Sequence, residues 1–356
     1  MESAIPKHLQ CPRSRQPRAS ADYAPPYPAW TARFPESLTQ IVMAYLGVQC
    51  PKGQEQKGLE AVANLVRLVS LQDRAVHHDI AHYEDEAGYP TWIVIAYWPT
   101  LEAFQRWEAQ PDVSEWWNSP TRGNEGLGHF REIFTPHVTH FETLFSNDRL
   151  EGAAQMPATQ LSGEIKEHGY WGGMRDRLPA SQTDDMASAP DARVTELPSP
   201  GMGRIRLKGH DNIALIRSGQ EWTETTAQER EMYLKDIEPT LRTGMDSLRD
   251  QGTNVGCYLN RYVRMVDGKG RELEKSFGMS VWQTLEHMER WSESHVTHLN
   301  IFGRFMNMVN EIGGPNLKLR LYHEVCVVQA SEQSYEYVNC HPKTGLLRML
   351  RGTSKL

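Results

Sequence analysis

The chain is poor in cysteine, and the few it has form no recognisable frame. Cys11, Cys50, Cys257, Cys326 and Cys340 are scattered, odd in number and include no CxxC pair. A disulfide-stapled secreted domain and a cysteine zinc site are therefore excluded, and the reducing cytoplasm is the expected compartment. No CxxCH is present either, so any haem must be held without thioether links.

Other absences narrow the function. No apolar run approaches the roughly 18–20 residues of a membrane span, and the opening segment MESAIPKHLQCPRSRQPRAS lacks the apolar region of a secretory signal. Positive charge is not in excess: 38 Lys and Arg stand against 45 Asp and Glu, a formal net charge of -7. That balance argues against nucleic acid or an anionic membrane as partner. With no Walker loop, GxGxxG turn, GxSxG elbow or HExxH helix, the common nucleotide, hydrolase and zinc-protease readings fall away.

What remains is a chain of 356 residues, 39% hydrophobic, enough for a large core. Residues 1–36 are rich in Pro and Arg, with Pro25-Pro26-Tyr27-Pro28 extended, and read as an arm that wraps the surface of the remaining chain. Residues 41–49 then read as a buried strand, 55–69 as a helix, 77–83 and 92–98 as two strands, 102–107 as a helix, and 129–145 as a strand pair or bent strand. The order recurs in the second half. Residues 212–217 read as a strand, 228–249 as a helix, 257–266 and 274–282 as a hairpin, 285–309 as one long helix, and 318–329 as a closing strand.

A short match supports duplication. Trp98 to Trp107 (WPTLEAFQRW) aligns with Trp282 to Trp291 (WQTLEHMERW), each at a step from strand to helix. The expected fold is α+β: two tandem ferredoxin-like repeats with antiparallel sheets, barrel-like in the manner of dimeric α+β folds, enclosing a cavity for a large cofactor. The expected division is an N-terminal arm at 1–36, a first repeat at 37–145, a connecting segment at 146–204, a second, cofactor-bearing repeat at 205–345 and a tail at 346–356. Within the connection, 163–183 reads as an ordered, site-building loop and 184–203 as a mobile surface segment.

Several side chains are candidates for chemistry. His295 and His298 fall on or beside the apolar stripe of the 285–309 helix. A neutral imidazole there suits haem iron, whereas the plain alternative is a core histidine bonded to backbone; periodicity does not choose between the two. Alternation on the closing strand sends His323 to the same face as Leu321, where it is a candidate proton donor or a cross-strand hydrogen bond. Ser218, at the end of residues 213–217, either holds a bound hydroxyl or caps a turn. Arg175 and Arg177 either grip an anionic group or form a solvated cluster, and Glu142 is an edge charge or a buried acid.

Taken together, the stretches of this sequence resemble a family, the haem-dependent aldoxime dehydratases, which includes the phenylacetaldoxime dehydratases. Matching stretches run along nearly the whole chain: MESAI, MAYLGVQ, GLGHFREI, HFETLF, GEIKEHGYWGGMRDR, GHDNIALIRSGQ, NRYVR, ERWSESHVTHL, LRLYHEV and EYVNCHPKTGLLR. Two places depart from the family pattern: Val296 replaces a proline, and the stretch at 311–316 is longer. The resemblance implies a cytoplasmic lyase that converts an aldoxime to a nitrile and water. It implies a non-covalent haem b, ferrous when active, with His298 as axial ligand of the iron. His323 would be the distal histidine, Ser218 the group holding the aldoxime hydroxyl, Arg177 an aid to His323, and Glu142 the acid that tunes them. It further implies a homodimer. The competing readings are a haem peroxidase or chlorite-dismutase-like enzyme, and a haem-based sensor without turnover.

Overall fold

The fold is taken from a computed structural model, which describes residues 1–353 apart from 200 and 202. Two successions of elements organise it. The first runs β1 (Val42–Gln49), α1 (Glu55–Val69), β2 (His77–Glu84), β3 (Pro90–Trp98), α2 (Leu101–Glu108), α3 (Pro111–Asn118), β4 (Gly128–Phe134) and β5 (Phe141–Phe145). After β6 (Arg204–Lys208), the second runs β7 (Ile213–Glu221), α4 (Ala227–Met232), α5 (Glu238–Gln251), β8 (Cys257–Val266), β9 (Glu272–Trp282), α6 (Leu285–Ser294), α7 (Val296–Ile312) and β10 (Arg320–Val328). A last strand, β11, spans Gln333–Val338.

Every strand pair is antiparallel, so the class is α+β. In the main sheet the order is β5-β10-β7-β9-β8-β2-β3-β1-β4-β11-β6, with the short strand Thr195–Leu197 at the far edge. Counted outward from the middle, the second half runs β8-β9-β7-β10 and the first half β2-β3-β1-β4, the same order. The expectation of a barrel is corrected: the hydrogen-bonded series has two ends, β5 and Thr195–Leu197, and does not close.

β1 and β3 are buried along their whole length, because each is covered on both faces. That is why they read as continuous apolar runs and not as alternation. One cluster joins the inner faces of the two halves, with Tyr45, Ile95 and Tyr97 meeting Leu215, Phe277 and Met279. On the outer faces, α1 and α2 cover the first half through Leu65, Leu68, Phe104 and Trp107, while Leu285, Met288 and Trp291 of α6 cover the second.

Two buried ion pairs cross between the halves. Arg217 reaches Asp79 at 2.6 Å and the Tyr97 hydroxyl at 2.7 Å, and Arg261 grips Glu132 at 2.6 and 2.8 Å. Removing one partner of such a pair strands a buried charge and is typically destabilising by about 3–5 kcal/mol.

Four further expectations are corrected. Residues 129–145 are not a strand pair: β4 joins β1 and β11, and β5 joins β10 at the other end of the sheet. The 285–309 segment is two helices, broken at His295, whose backbone is extended and whose ring accepts from Thr297 N. The equivalent break between α2 and α3 is marked by Pro111; the second half has Val296 there, at the first helical position, where a proline would be welcome. Residues 233–237 form a π turn ahead of Pro239, which has no N–H to give. Residues 184–203 are not all surface, since Met186 and Val194 are buried.

Candidate active site

The second half of the sheet presents one row of side chains to helices α5–α7. Across four strands the register partners are Leu144, His323, Ser218, Gly278 and Tyr262. Partners in adjacent strands share a face, with Cα atoms about 4.5–5.5 Å apart. His323 and Ser218 are thus immediate neighbours. The longer segment at 311–316 is absorbed at the end of α7 and in a short 3-10 turn, so it leaves this register intact.

His323 is held from one side only. Its Nε2 lies 3.0 Å from Glu142 Oε1 and 2.8 Å from Arg177 Nη2. Arg177 also donates through Nε to Glu142 Oε2 at 2.7 Å and through Nη1 to the Glu167 carbonyl at 2.7 Å. The Arg177 and Glu142 side chains are 3% and 1% exposed, while His323 keeps 18%. The imidazole is therefore the one member of the trio open to a ligand. Burial raises the Glu142 pKa, but the Arg177 guanidinium and then His323 outweigh it, so the carboxyl sits below its usual range. Among the described residues, neither His323 Nδ1 nor Ser218 Oγ has a hydrogen-bond partner, and neither is sealed from solvent.

A third free group lies on α7. The Nδ1 of His298 is 2.6 Å from the carbonyl of Ser292, which requires a proton on Nδ1 and leaves the Nε2 lone pair free. Burial lowers the His298 pKa, outweighing that hydrogen bond, and favours the neutral ring. Around it the helix is uncovered. Val296, Leu299 and Phe302 are 63%, 41% and 42% exposed, and of the residues of α7 only Met308 is buried. Trp171 from the connecting loop, itself largely exposed, stands edge-on to His298 at 5.6 Å and near Phe302 at 5.3 Å. An apolar helix face carrying a neutral imidazole with a free lone pair is suited to a flat apolar group with a metal at its centre.

The candidates thus separate. Glu142, Arg177, Ser218 and His323 come together, with His298 on the helix packed beyond that face. His295 is the cap of α7 and is spent on Thr297. Arg175 leaves the cluster to clamp α6 through Glu289, at 2.7 and 3.0 Å. Sequence reasoning missed Trp171 and the Ser292 and Glu167 carbonyls. The aromatic character of GYWGG was a signal for the first; backbone acceptors leave none. A separate cleft of about 400 Å³, lined by Cys11, Arg13, Tyr170 and Asp176 among others, contains none of the five residues.

Comparison with known proteins adds the family. The chain is 48% identical to an aliphatic aldoxime dehydratase of Rhodococcus globerulus, over 98% of both chains. It is 32% identical to the phenylacetaldoxime dehydratase of Bacillus sp. (strain OxB-1), over 94% of this chain and 93% of that one. A crystal structure of aldoxime dehydratase in complex with butyraldoxime superposes with a TM-score of 0.92 at 46% identity, covering 98% of this chain and 96% of the other. A model of the haem-containing dehydratases matches residues 44–346. By relatedness along nearly its full length, and by a shared fold, this chain belongs to the haem-containing dehydratase family.

Proposed function

We propose that the protein is an aldoxime dehydratase that converts an aldoxime, R–CH=N–OH, to a nitrile and water, using a non-covalent haem b held by His298. The observation that carries this reading is the set of three unpartnered groups: His298 Nε2 on one side, and Ser218 Oγ with His323 Nδ1 on the other. The aldoxime dehydratase relatives, at 46–48% identity for those described as aliphatic, favour an aliphatic substrate.

The uncovered face around Val296, Leu299 and Phe302 fits a porphyrin, and the hydrogen bond to Ser292 fixes the tautomer an axial ligand needs. Ferrous haem, when bound, supplies a site for the aldoxime nitrogen and electron density toward the N–O bond. The chain's own residues do the rest. Ser218 Oγ orients the aldoxime hydroxyl, and His323 delivers a proton from Nδ1, so that the hydroxyl leaves as water. The neutral imidazole then takes the hydrogen from the aldoxime carbon, and the catalyst is restored. Glu142 stabilises the charged imidazole, while Arg177 keeps Glu142 ionised and aimed at Nε2.

The recurring strand order, the WPTLEAFQRW and WQTLEHMERW segments at equivalent steps, and two matching Thr caps (Thr100 and Thr284) support a reading as tandem ferredoxin-like repeats with the haem in the second. The division at 1–36, 37–145, 146–204, 205–345 and 346–356 accords with that reading. A homodimer in the cytoplasm completes the proposal; among the described residues no helix is long and apolar enough to cross a membrane.

The deciding experiment is an anaerobic assay of the reduced, haem-loaded protein with an aliphatic aldoxime and phenylacetaldoxime, monitoring nitrile. Nitrile formation that falls on oxidation is the expected result. Haem without nitrile from either substrate would overturn the reading.

A further inference from the structure

Arg177 sits on a single helical turn, Gly173–Arg177, too short to hold itself in place. What holds it is the N-terminal arm. Asp176, next to Arg177 and 2% exposed, accepts from Arg18 N at 2.8 Å, from Ala19 N at 3.3 Å and from the Tyr170 hydroxyl at 2.8 Å. Glu167, whose carbonyl receives Arg177 Nη1, uses its carboxylate to accept from Ala4 N at 2.7 Å and Ser3 Oγ at 3.3 Å. Gln182 accepts from Cys11 N at 3.0 Å and donates to the Leu9 carbonyl at 2.8 Å. The start of the turn is covered as well. At Gly172, φ is +89° and an added Cβ would lie 2.7 Å from Arg18 Cγ, so only glycine fits beneath the arm.

Little of residues 10–22 is buried, so this stretch adds little to the core. Its backbone N–H groups nonetheless end on side chains that flank Arg177. We propose that residues 2–19 are a strap that positions Arg177 against Glu142 and His323, with Asp176 as the positioning residue through which it acts. The strap touches none of the reacting groups. The inference rests on the roles of Arg177 and His323 proposed above. Its physical basis is that a bidentate pair is lost over displacements of about 1 Å, and a misplacement of that size costs up to about a hundredfold in rate.

Two substitutions in the full-length, haem-loaded enzyme test it. Asp176→Asn leaves one acceptor oxygen for three donors and turns an NH2 toward the arm. Arg18→Pro leaves Asp176 in place and deletes the arm's donor. For each, haem per chain, melting temperature, kcat, KM and the pH–rate profile are measured with an aliphatic aldoxime. The expected result is unchanged haem content, kcat lower by on the order of tenfold with little change in KM, and a displaced pH profile, because the charges beside His323 are no longer fixed. Arg177→Lys should displace the profile in the same direction. Wild-type kcat and profile in both variants would overturn the proposal. So would loss of haem and fold in both, which would make Asp176 a folding determinant only. A wild-type enzyme that makes no nitrile would overturn the functional reading, and the strap's catalytic role with it.

Discussion

Ser218 and His323 are register partners on neighbouring strands, and their functional atoms are the two on that face left without a protein partner. The pairing converts two residues 105 positions apart in sequence into one surface. It also makes the site sensitive to register, since a slip of one residue in β10 would turn His323 into the inner core.

Replacing His323 by Ala should leave haem content unchanged and lower kcat by about 10²–10⁴, the usual worth of a positioned acid–base group. Single-turnover nitrile formation by the reduced variant is the measurement. A rate near wild type would remove His323 from the mechanism.

Replacing His298 by Ala should abolish haem binding while the protein stays folded, because the helix face is already exposed and loses no core contact. Soret absorbance per chain, with circular dichroism as the check on folding, reads this directly. A fully haem-loaded variant would assign the iron to another residue.

Glu142→Gln should destabilise the fold by about 3–5 kcal/mol at neutral pH, since it strands the buried Arg177. The sign of the pH effect is set by the lowered pKa of Glu142. Its contribution is complete above the unfolded value of 4.5 and is lost as pH falls through the lower folded value. Denaturant melts from pH 7 downward should therefore converge for wild type and variant below that window. Parallel curves across the whole range would contradict the assignment.

Gly47→Ala and Gly219→Ala should both destabilise, by about 1–3 kcal/mol or more from overpacking. A Cβ at Gly47 would lie 2.0 Å from the Phe130 ring, and one at Gly219 2.0 Å from the Tyr322 ring, in corresponding strand pairs of the two halves. Thermal melts check both, and an unchanged midpoint in either would show that the ring moves aside without cost.

Haem should bind at one site per chain. Aligning Gly47 and Phe130 with Gly219 and Tyr322 puts Leu46 where Ser218 stands and Arg131 where His323 stands. Arg131 is tied to Glu336 at 3.0 Å and lies over the Trp117 ring at 4.8 Å, so the equivalent space is filled. A pyridine haemochrome titration giving two haems per chain would refute this.

Much of the fold was legible because local pattern decided it. Residues 55–69 carry a helical stripe and form α1 with those bounds. The hairpin over 257–282 announced itself through Asp267-Gly268-Lys269-Gly270, a turn flanked by β-branched and aromatic residues. The break at His295 was not legible, because a helix periodicity continues across it and no proline marks it. Nor was the separation of β4 from β5, since nothing in residues 129–145 says that two adjacent strands will join opposite ends of one sheet.

The site divides along the same line. Residue chemistry and the family pattern, both properties of the chain alone, determined that His298, His323, Ser218, Arg177 and Glu142 are the functional candidates and that haem needs no cysteine. Only the tertiary structure decided which neighbour each one answers to: Arg177 to Glu142 but Arg175 to Glu289, His298 to Ser292 but His295 to Thr297. The physical reason is that a charge or an imidazole carries its chemistry in its own atoms. Its partner is set by register, burial and the path of a loop, and these come from contacts between residues far apart in the chain.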